Sequence, residues 1–402
     1  MRILSISTLF PPHVQGGAEI SAYNLAQWLS SNGHEVAVMT TAPSPADEVF
    51  GVDEGGLKIW RIFMPRAYTA FDAAKAPSWK KPAWHLQDIF DWRNKTAFEK
   101  VADEFKPDFI SVHYIQGLGF NILTSIGQRD IPAAITLHDL NLACIKMSMF
   151  VDGKDCERLC TSCALSAKVK MSYVRGIKRI GFISPSKAVL DKMVSLQPIS
   201  EYPRTHIPNA RRYPAPKFSY RPADKIRFLY VGRLTEAKGV RVLLEALEPL
   251  ARDYDFTLKI VGDGPDAEAL RERYAGQSWI TFTGHVPADN VPDFMADSDL
   301  MFVPSIWLEN FPGVVIQALG LSLPVMGSDK GGIPELIKDN ENGVLVPPGD
   351  IAAWRSAIKS LLDDPPRLTA LRENATRGAS EFDPDKLAGR ILGFFENIRA
   401  MP

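Results

Sequence analysis

Short, nearly continuous apolar runs alternate along the chain with longer stretches whose apolar residues recur every three or four positions. In the first half, the runs 2–7, 35–40, 58–63, 109–112, 133–137 and 181–184 have the length and side-chain types of buried strands. Residues 18–30 present Ile20, Tyr23, Leu25, Ala26 and Leu29 on a helical face, and Gly33 stops that helix. Residues 80–105 read as one further helix, ended by Lys106-Pro107-Asp108. Strands apolar on both faces, alternating with helices, predict a parallel sheet covered by helices.

The pattern then breaks. Residues 202–222 hold five prolines among arginines, the composition of a linker. Beyond it, 227–231, 256–261, 279–282, 300–303, 324–326 and 343–346 read as strands. Residues 240–247, 267–274 and 351–362 read as helices, and 385–398 as a last one with Leu387, Ile391, Phe394 and Phe395 on one side. The fold class is α/β, with two doubly wound domains. The expected boundaries are a first domain over 1–205, a Pro-rich hinge over 206–224, a second domain over 225–380, and a C-terminal helix over 381–402 that packs back on the first domain. Two such domains facing each other leave a cleft, and ligands of open α/β sheets bind at the carboxyl ends of strands.

Composition narrows the function. With 46 Lys+Arg against 47 Asp+Glu the formal net charge is -1, which disfavours a nucleic-acid partner. No apolar run is long enough to span a bilayer, and the first residues turn polar too soon for a signal peptide, so a cytoplasmic protein, soluble or peripheral on the inner face of the plasma membrane, is expected. Lys168, Lys170, Arg175, Lys178, Arg179 and Lys187 form a basic run that reads either as a solvated helix face or as a contact for an anionic membrane surface. Trp79, Trp84 and Trp92 read as core or as lining for an acceptor. All four cysteines, Cys144, Cys156, Cys160 and Cys163, lie within one short segment. Such clustering fits a structural Zn site, with free thiols or a redox pair as the other readings.

The candidate chemistry lies in loops that follow strands. Val231-Gly232-Arg233-Leu234-Thr235-Glu236-Ala237-Lys238-Gly239 links a strand to a helix and offers two cations suited to a diphosphate, although a plain turn with solvated cations has the same look. In Pro304-Ser305-Ile306-Trp307-Leu308-Glu309-Asn310-Phe311-Pro312-Gly313, Glu309 follows a strand and faces the expected cleft. Gly262-Asp263-Gly264-Pro265-Asp266-Ala267 fits a dinucleotide pattern weakly, and Asp297-Ser298-Asp299 precedes a strand, the wrong end for a metal site.

These stretches, in this order, resemble the retaining, nucleotide-sugar-dependent glycosyltransferases of family 4. The likeness is carried by residues 231–239, Val261-Gly262-Asp263-Gly264-Pro265, Thr283-Gly284-His285-Val286, Pro304-Ser305 with Glu309, Gly331-Gly332-Ile333-Pro334-Glu335 and Asn342-Gly343-Val344-Leu345-Val346. In the first half it is carried by Gly16-Gly17-Ala18-Glu19, Lys106-Pro107-Asp108, Thr136-Leu137-His138-Asp139 and Pro208-Asn209. The resemblance implies the GT-B architecture of two facing Rossmann-like domains. It also implies transfer of a hexose-type sugar from a UDP- or GDP-sugar to a glycan or polyprenol-linked acceptor, in bacterial cell-surface polysaccharide or lipopolysaccharide assembly, with no catalytic cofactor or metal. By the same resemblance Arg233 and Lys238 bind the donor diphosphate, and Gly16 and Gly17 let the first loop approach it. His138 lies near the transferred sugar, Gly284, His285 and Val286 hold the base, and Glu309 contacts the sugar. Phe311 and Gly313 belong to the same donor-binding loop. The chain departs from the family at Gln317, where a ribose-binding Glu is usual, at Pro312 and at Ser322, where Gly is usual. Two other classes remain open on the sequence: a catalytically weak sugar-nucleotide-binding partner subunit, which Gln317 favours, and an NAD(P)-dependent oxidoreductase.

Overall fold

The computed structural model describes residues 1–73, 76–377 and 379–402. They form two compact units. One comprises Met1–Met149, Cys156–Arg212 and Asp383–Pro402, and the other Phe150–Asp155 and Tyr213–Phe382. In chain order the strands are β1 (Arg2–Ser7), β2 (Glu35–Ala42), β3 (Val49–Glu54), β4 (Leu57–Phe63), β5 (Phe109–Tyr114), β6 (Ala133–Thr136), β7 (Phe150–Val151), β8 (Lys154–Asp155), β9 (Ile180–Ser184), β10 (Arg204–His206), β11 (Ile226–Val231), β12 (Phe256–Val261), β13 (Ile280–Gly284), β14 (Leu300–Val303), β15 (Val325–Ser328) and β16 (Gly343–Val346).

The first unit holds the sheet β10-β9-β6-β5-β1-β2-β4-β3, parallel except for the β3–β4 pair. The second holds the all-parallel sheet β13-β12-β11-β14-β15-β16. Each is a Rossmann-like doubly wound sheet. The order reverses between β1 and β5 in one sheet and between β11 and β14 in the other. Connections leave these neighbours in opposite directions, so a crevice opens at their carboxyl ends. The fold therefore fixes in advance where each unit can present chemistry.

Two expectations change. The single helix over 80–105 is two helices, Lys81–Phe90 and Trp92–Phe105. Asp91 makes the break: its side chain caps the second helix by accepting from the Arg93 N–H at 3.0 Å, and its carbonyl accepts from Asn121 at 2.7 Å. An N-cap signal inside an otherwise helical pattern outweighed the periodicity. The hairpin β7–β8, inside the residues assigned to the first domain, groups with the second unit. Residues 207–223 carry no regular structure, and the division between the units falls at Arg212 and Tyr213.

The last helix, Pro384–Arg399, belongs to the first unit. Its residues Leu387, Ala388, Ile391, Phe395 and Ile398 are buried in the same core as Ile3, Val36 and Phe109. Phe395 stacks on Phe109 with ring centroids 4.5 Å apart. Gly181 in β9 is the clearance for this helix, since a Cβ there would lie 2.6 Å from Ile398 and 2.7 Å from Phe394. Replacing the fully buried Phe395 by Ala should cost about 3–5 kcal/mol in chemical denaturation, the usual range for such a truncation. A loss below about 1 kcal/mol would show that this helix does not hold the first core together.

Candidate functional site

In the second unit, the loop after β11 is built for close packing before it is built for binding. Gly232 donates to the Val261 carbonyl at 3.0 Å, Leu234 donates to the Asp263 carbonyl at 2.9 Å, and the buried Tyr230 hydroxyl donates to the Arg233 carbonyl at 2.9 Å. Gly262 and Gly264 serve this contact: a Cβ at either would lie 1.9 Å from the Gly232 carbonyl oxygen or 2.3 Å from that of Leu234. Packing alone accounts for the dinucleotide-like pattern. The loop so held leaves the Arg233 side chain exposed, with no partner for its guanidinium among the described residues. A single turn, Glu236–Lys238, then leads through Gly239 into the helix Val240–Leu250. Gly239 sits at φ 69°, and a Cβ there would collide with the Pro304 carbonyl oxygen at 1.8 Å.

That contact brings the loop after β14 alongside. Glu309 is 5% exposed, and its Oε1 accepts from Lys238 Nζ at 2.6 Å and from the Ser305 hydroxyl at 2.6 Å. Burial pushes this carboxyl up, but the Lys238 charge and these hydrogen bonds outweigh it and hold Glu309 below the usual carboxylate range. The Glu309 backbone is clamped as well. Gly332 donates to its carbonyl at 2.8 Å, and Gly331, at φ 62°, lies so close that a Cβ would be 2.4 Å from the same oxygen. Lys330, from the same clamp, donates to the Ile306 carbonyl at 2.5 Å and pairs with Asp155 at 2.6 Å. The segments 231–239, 304–313 and 331–335 thus converge at the β11/β14 reversal.

Gly313 opens the helix that follows, Gly313–Gly320, with Gln317 buried in its middle and Phe311 packed on Phe382. Gly284 ends β13 and His285 and Val286 follow it, two strands from β11 and therefore about 10 Å across the sheet from it. Gly284 has φ 76° and His285 is exposed. Ser322 takes φ 57°, the left-handed region, which explains why a glycine is the usual residue at that turn. Asp297 and Asp299 are consumed at the opposite sheet end, where Arg227 bonds both at 2.8 Å and 3.1 Å and Lys259 bonds Asp297 at 2.6 Å.

The first unit has its own cluster at the β1/β5 reversal. Gly16 and Gly17 start the helix Gly17–Ser31 and are exposed. Neither has a positive φ, and a Cβ on either would meet its nearest neighbour at 3.6 Å. The fold does not demand glycine here, so its effect is to leave the helix N-terminus uncovered. The buried Glu19 turns back to accept from the Gly16 N–H at 3.0 Å. His138 follows β6, and its Nε2 lies 3.1 Å from Nδ1 of the buried His113, whose Nε2 lies 3.1 Å from the Ser111 hydroxyl. Burial lowers both imidazoles, His113 to about 4, and the His113 charge lowers His138 further. Asp139 is pushed up to about 7 by burial.

Ser111, His113 and Ser305 are the site residues the sequence reading did not assign. Ser305 was visible in the quoted Pro-Ser pair; Ser111 and His113 were hidden inside a strand, where alternate residues share a face.

The thiols of Cys144 and Cys160 both adjoin that of Cys163. Cys144 and Cys163 are in contact, with their sulfurs 3.9 Å apart, and Cys160 is exposed and bonded to the Ser162 hydroxyl. Among the described residues no three His, Cys, Asp or Glu side chains form a metal-binding group, which corrects the expected four-thiol Zn site at Cys144, Cys156, Cys160 and Cys163. Of the basic run, Lys170 is buried and donates to the Asn141 carbonyl, Arg179 bonds Asp130 and Lys187 bonds Asp191, while Lys168, Arg175 and Lys178 are exposed. Trp84 is buried and stacked on Tyr68, whereas Trp79 and Trp92 are exposed. No helix among the described residues is long and apolar enough to cross a membrane.

Comparison with known proteins agrees with this geometry. The model of the group 1 glycosyl transferases matches residues 215–378, and that of glycosyltransferase family 4 matches residues 15–211. The glycogen synthase of Mycobacterium tuberculosis is 28% identical over 95% of this chain and 91% of its own. The phosphatidyl-myo-inositol mannosyltransferase of Mycobacterium leprae is 33% identical over 46% of this chain, half of its own length. The Anabaena protein HepE, solved in complex with UDP and glucose, superposes with a TM-score of 0.69 over the full length of both chains at 18% identity, a likeness of fold. Together, the two family models span both units, the two Rossmann-like domains match GT-B structures, and the chain belongs to the family 4 glycosyltransferases.

Proposed function

We propose that the protein moves a hexose-type sugar from a UDP- or GDP-sugar to a glycan or lipid-linked acceptor in cell-surface polysaccharide assembly, with retention of anomeric configuration and without a catalytic metal. The observation that carries the reading is the pairing of the buried Glu309 with the half-buried Lys238 at the strand-order reversal of the second sheet. Departure of a nucleoside diphosphate places negative charge on the phosphates and positive character on the anomeric carbon. Arg233 and Lys238 are the cations for the first, and Glu309, ionised and fixed by Ser305, is the anion for the second. The segment 284–286 is the place for the base, Gln317 for the ribose, and Phe311 and Gly313 for the loop that shapes the pocket. In the first unit, Gly16 and Gly17 offer a bare helix N-terminus to an anion, and His138 offers a polar group to the sugar. The UDP-bound neighbour supports a nucleotide-sugar donor, and the mycobacterial relatives support glycan and lipid acceptors. The exposed Lys168, Arg175 and Lys178 suit an acceptor carried on an anionic membrane. A catalytically weak sugar-nucleotide-binding subunit is the second reading, favoured by the amide at Gln317 where the family has a carboxylate. A donor screen by mass spectrometry, with purified protein and candidate acceptors, tests the first reading. Binding of UDP or GDP without transfer from any donor would favour the second.

Glu309→Gln should lower kcat by about 100-fold while UDP affinity stays the same or rises, because the change removes charge at the sugar and frees Lys238 for the diphosphate. Turnover within threefold of the parent would remove Glu309 from the reaction, and NMR assignment of an inverted product linkage would refute retention.

The same pair makes a pH-dependent stability prediction. The folded pKa of Glu309 lies below its unfolded value, so the pair's contribution is present above the unfolded value and is lost as pH falls through the folded one. Lys238→Met leaves the carboxylate buried without its cation. It should destabilise the fold at pH 7 by about 2–4 kcal/mol, somewhat under a fully buried pair because Lys238 is 28% exposed. The deficit should shrink as pH falls and Glu309 takes up a proton. Denaturation curves at pH 7 and pH 4.5 with equal deficits would contradict the assignment.

A further inference from the structure

Ser111 and His113 lie two residues apart on β5, so their side chains leave the same face of the sheet. His138 reaches that face from the end of the neighbouring strand β6, through a tight turn in which its N–H donates to the Thr136 carbonyl at 3.0 Å. The result is one file of polar atoms, from the Ser111 hydroxyl to both nitrogens of His113 and on to Nε2 of His138, with two separations of 3.1 Å. The two rings are stacked, with centroids 5.4 Å apart.

The direction of the protons in this file follows from the donor count. Ser111 is 1% exposed, and among the described residues its one hydroxyl partner is His113. Ser5, its register neighbour on β1, is buried with its own hydroxyl unpartnered and takes no proton from it. A buried O–H left without an acceptor costs more than an oxygen left with an idle lone pair. Ser111 therefore donates to Nε2 of His113. Burial keeps both imidazoles neutral at neutral pH, so each carries one N–H. With Nε2 of His113 accepting, its proton is on Nδ1 and is donated to Nε2 of His138. The single proton of His138 is then on Nδ1.

We propose that Ser111 and His113 are positioning residues that fix His138 as its Nδ1–H tautomer, making it a hydrogen-bond donor to an oxygen of the transferred sugar or its leaving phosphate and not a base. The proposal rests on the placement of His138 at the sugar given above. It assigns the active nitrogen, since Nε2 is occupied and Nδ1–H has no partner among the described residues. It also explains why a strand interior holds a Ser and a His in place of apolar residues.

The test has an arm that does not depend on turnover. In full-length protein labelled with nitrogen-15 at histidine, long-range proton–nitrogen correlations report which ring nitrogen carries the proton, and His138→Gln identifies the His138 signals. The expected result is protonation of His138 at Nδ1, with Ser111→Ala shifting it toward a mixture of tautomers. His138 protonated at Nε2, or a tautomer unchanged in Ser111→Ala, would overturn the proposal. In transfer assays Ser111→Ala should lower kcat about 5–10-fold, with the donor KM within twofold. His113→Phe should lower kcat further, and His113→Asn, which keeps a donor near the Nδ1 position, should recover most of the loss. His113→Asn no better than His113→Phe would reduce His113 to a packing residue and count against the relay. If no donor is turned over by the parent protein while His138 is found protonated at Nδ1, the transferase reading fails and the tautomer assignment stands.

Discussion

A carboxylate taken out of water costs several kcal/mol unless a cation and hydrogen-bond donors replace the solvent. Glu309 meets that demand with Lys238 and Ser305 together. The requirement then spreads outward. Lys238 must come from the loop after β11 and Glu309 from the loop after β14, so the two loops must approach within a hydrogen bond of each other. Three glycines make this approach possible. Gly239 clears the Pro304 carbonyl, Gly331 clears the Glu309 backbone, and Gly262 clears the base of the Arg233 loop. At each of them a methyl group would occupy space already filled by a carbonyl oxygen. The glycine-rich look of this half of the chain is therefore a consequence of crowding around one ion pair at a strand-order reversal.

The two units meet their polar demands differently. The second unit pairs opposite charges and leaves Arg233 exposed. The first links polar groups by directed hydrogen bonds: Ser111 and His113 are satisfied by one another and by His138, and Glu19 accepts from the start of its own helix. Burial raises the Glu19 and Asp139 carboxyls and lowers the two histidines, so every one of these groups is driven toward its uncharged form. One site is organised around fixed charge and the other around fixed hydrogen-bond direction, as the proposed transfer would require, since it separates charge at a sugar and must orient its hydroxyls.

Much of the fold was legible because strands buried on both faces read as plain apolar runs. Residues 2–7, 256–261, 300–303 and 343–346 are strands with the expected bounds. The strand 49–54 was not legible, because its half-exposed edge carries Asp53 and Glu54 in place of an apolar alternation. The helix break at Asp91 was hidden by continuous apolar spacing on both sides of it. Among the site residues, Lys238 and Glu309 stand in loops whose glycines announce them, but their direct contact was not legible. It depends on strand order, which no local pattern encodes. The thiols illustrate the converse: closeness in sequence suggested one four-thiol metal site, yet the described residues hold no metal-binding group of three such side chains.

Gln317 is the departure from the family that the geometry makes intelligible. Between residues 304 and 318 Glu309 is the only acid, and Gln317 is buried in the helix that begins just beyond it. A second carboxylate in this apolar helix would add a like charge to a region where one is already held against its desolvation cost. Like charges raise each other's pKa, so the price of a stronger ribose contact would be a less firmly ionised Glu309. An amide accepts a hydroxyl hydrogen bond without that penalty, though with less strength than a carboxylate. With Lys238 as the cation pairing with Glu309, the neutral Gln317 leaves that single buried carboxylate uncontested. Under the proposed function, the substitution weakens recognition at the nucleoside while keeping the carboxylate assigned to the sugar ionised, the arrangement expected where charge at the sugar matters more than grip on the ribose.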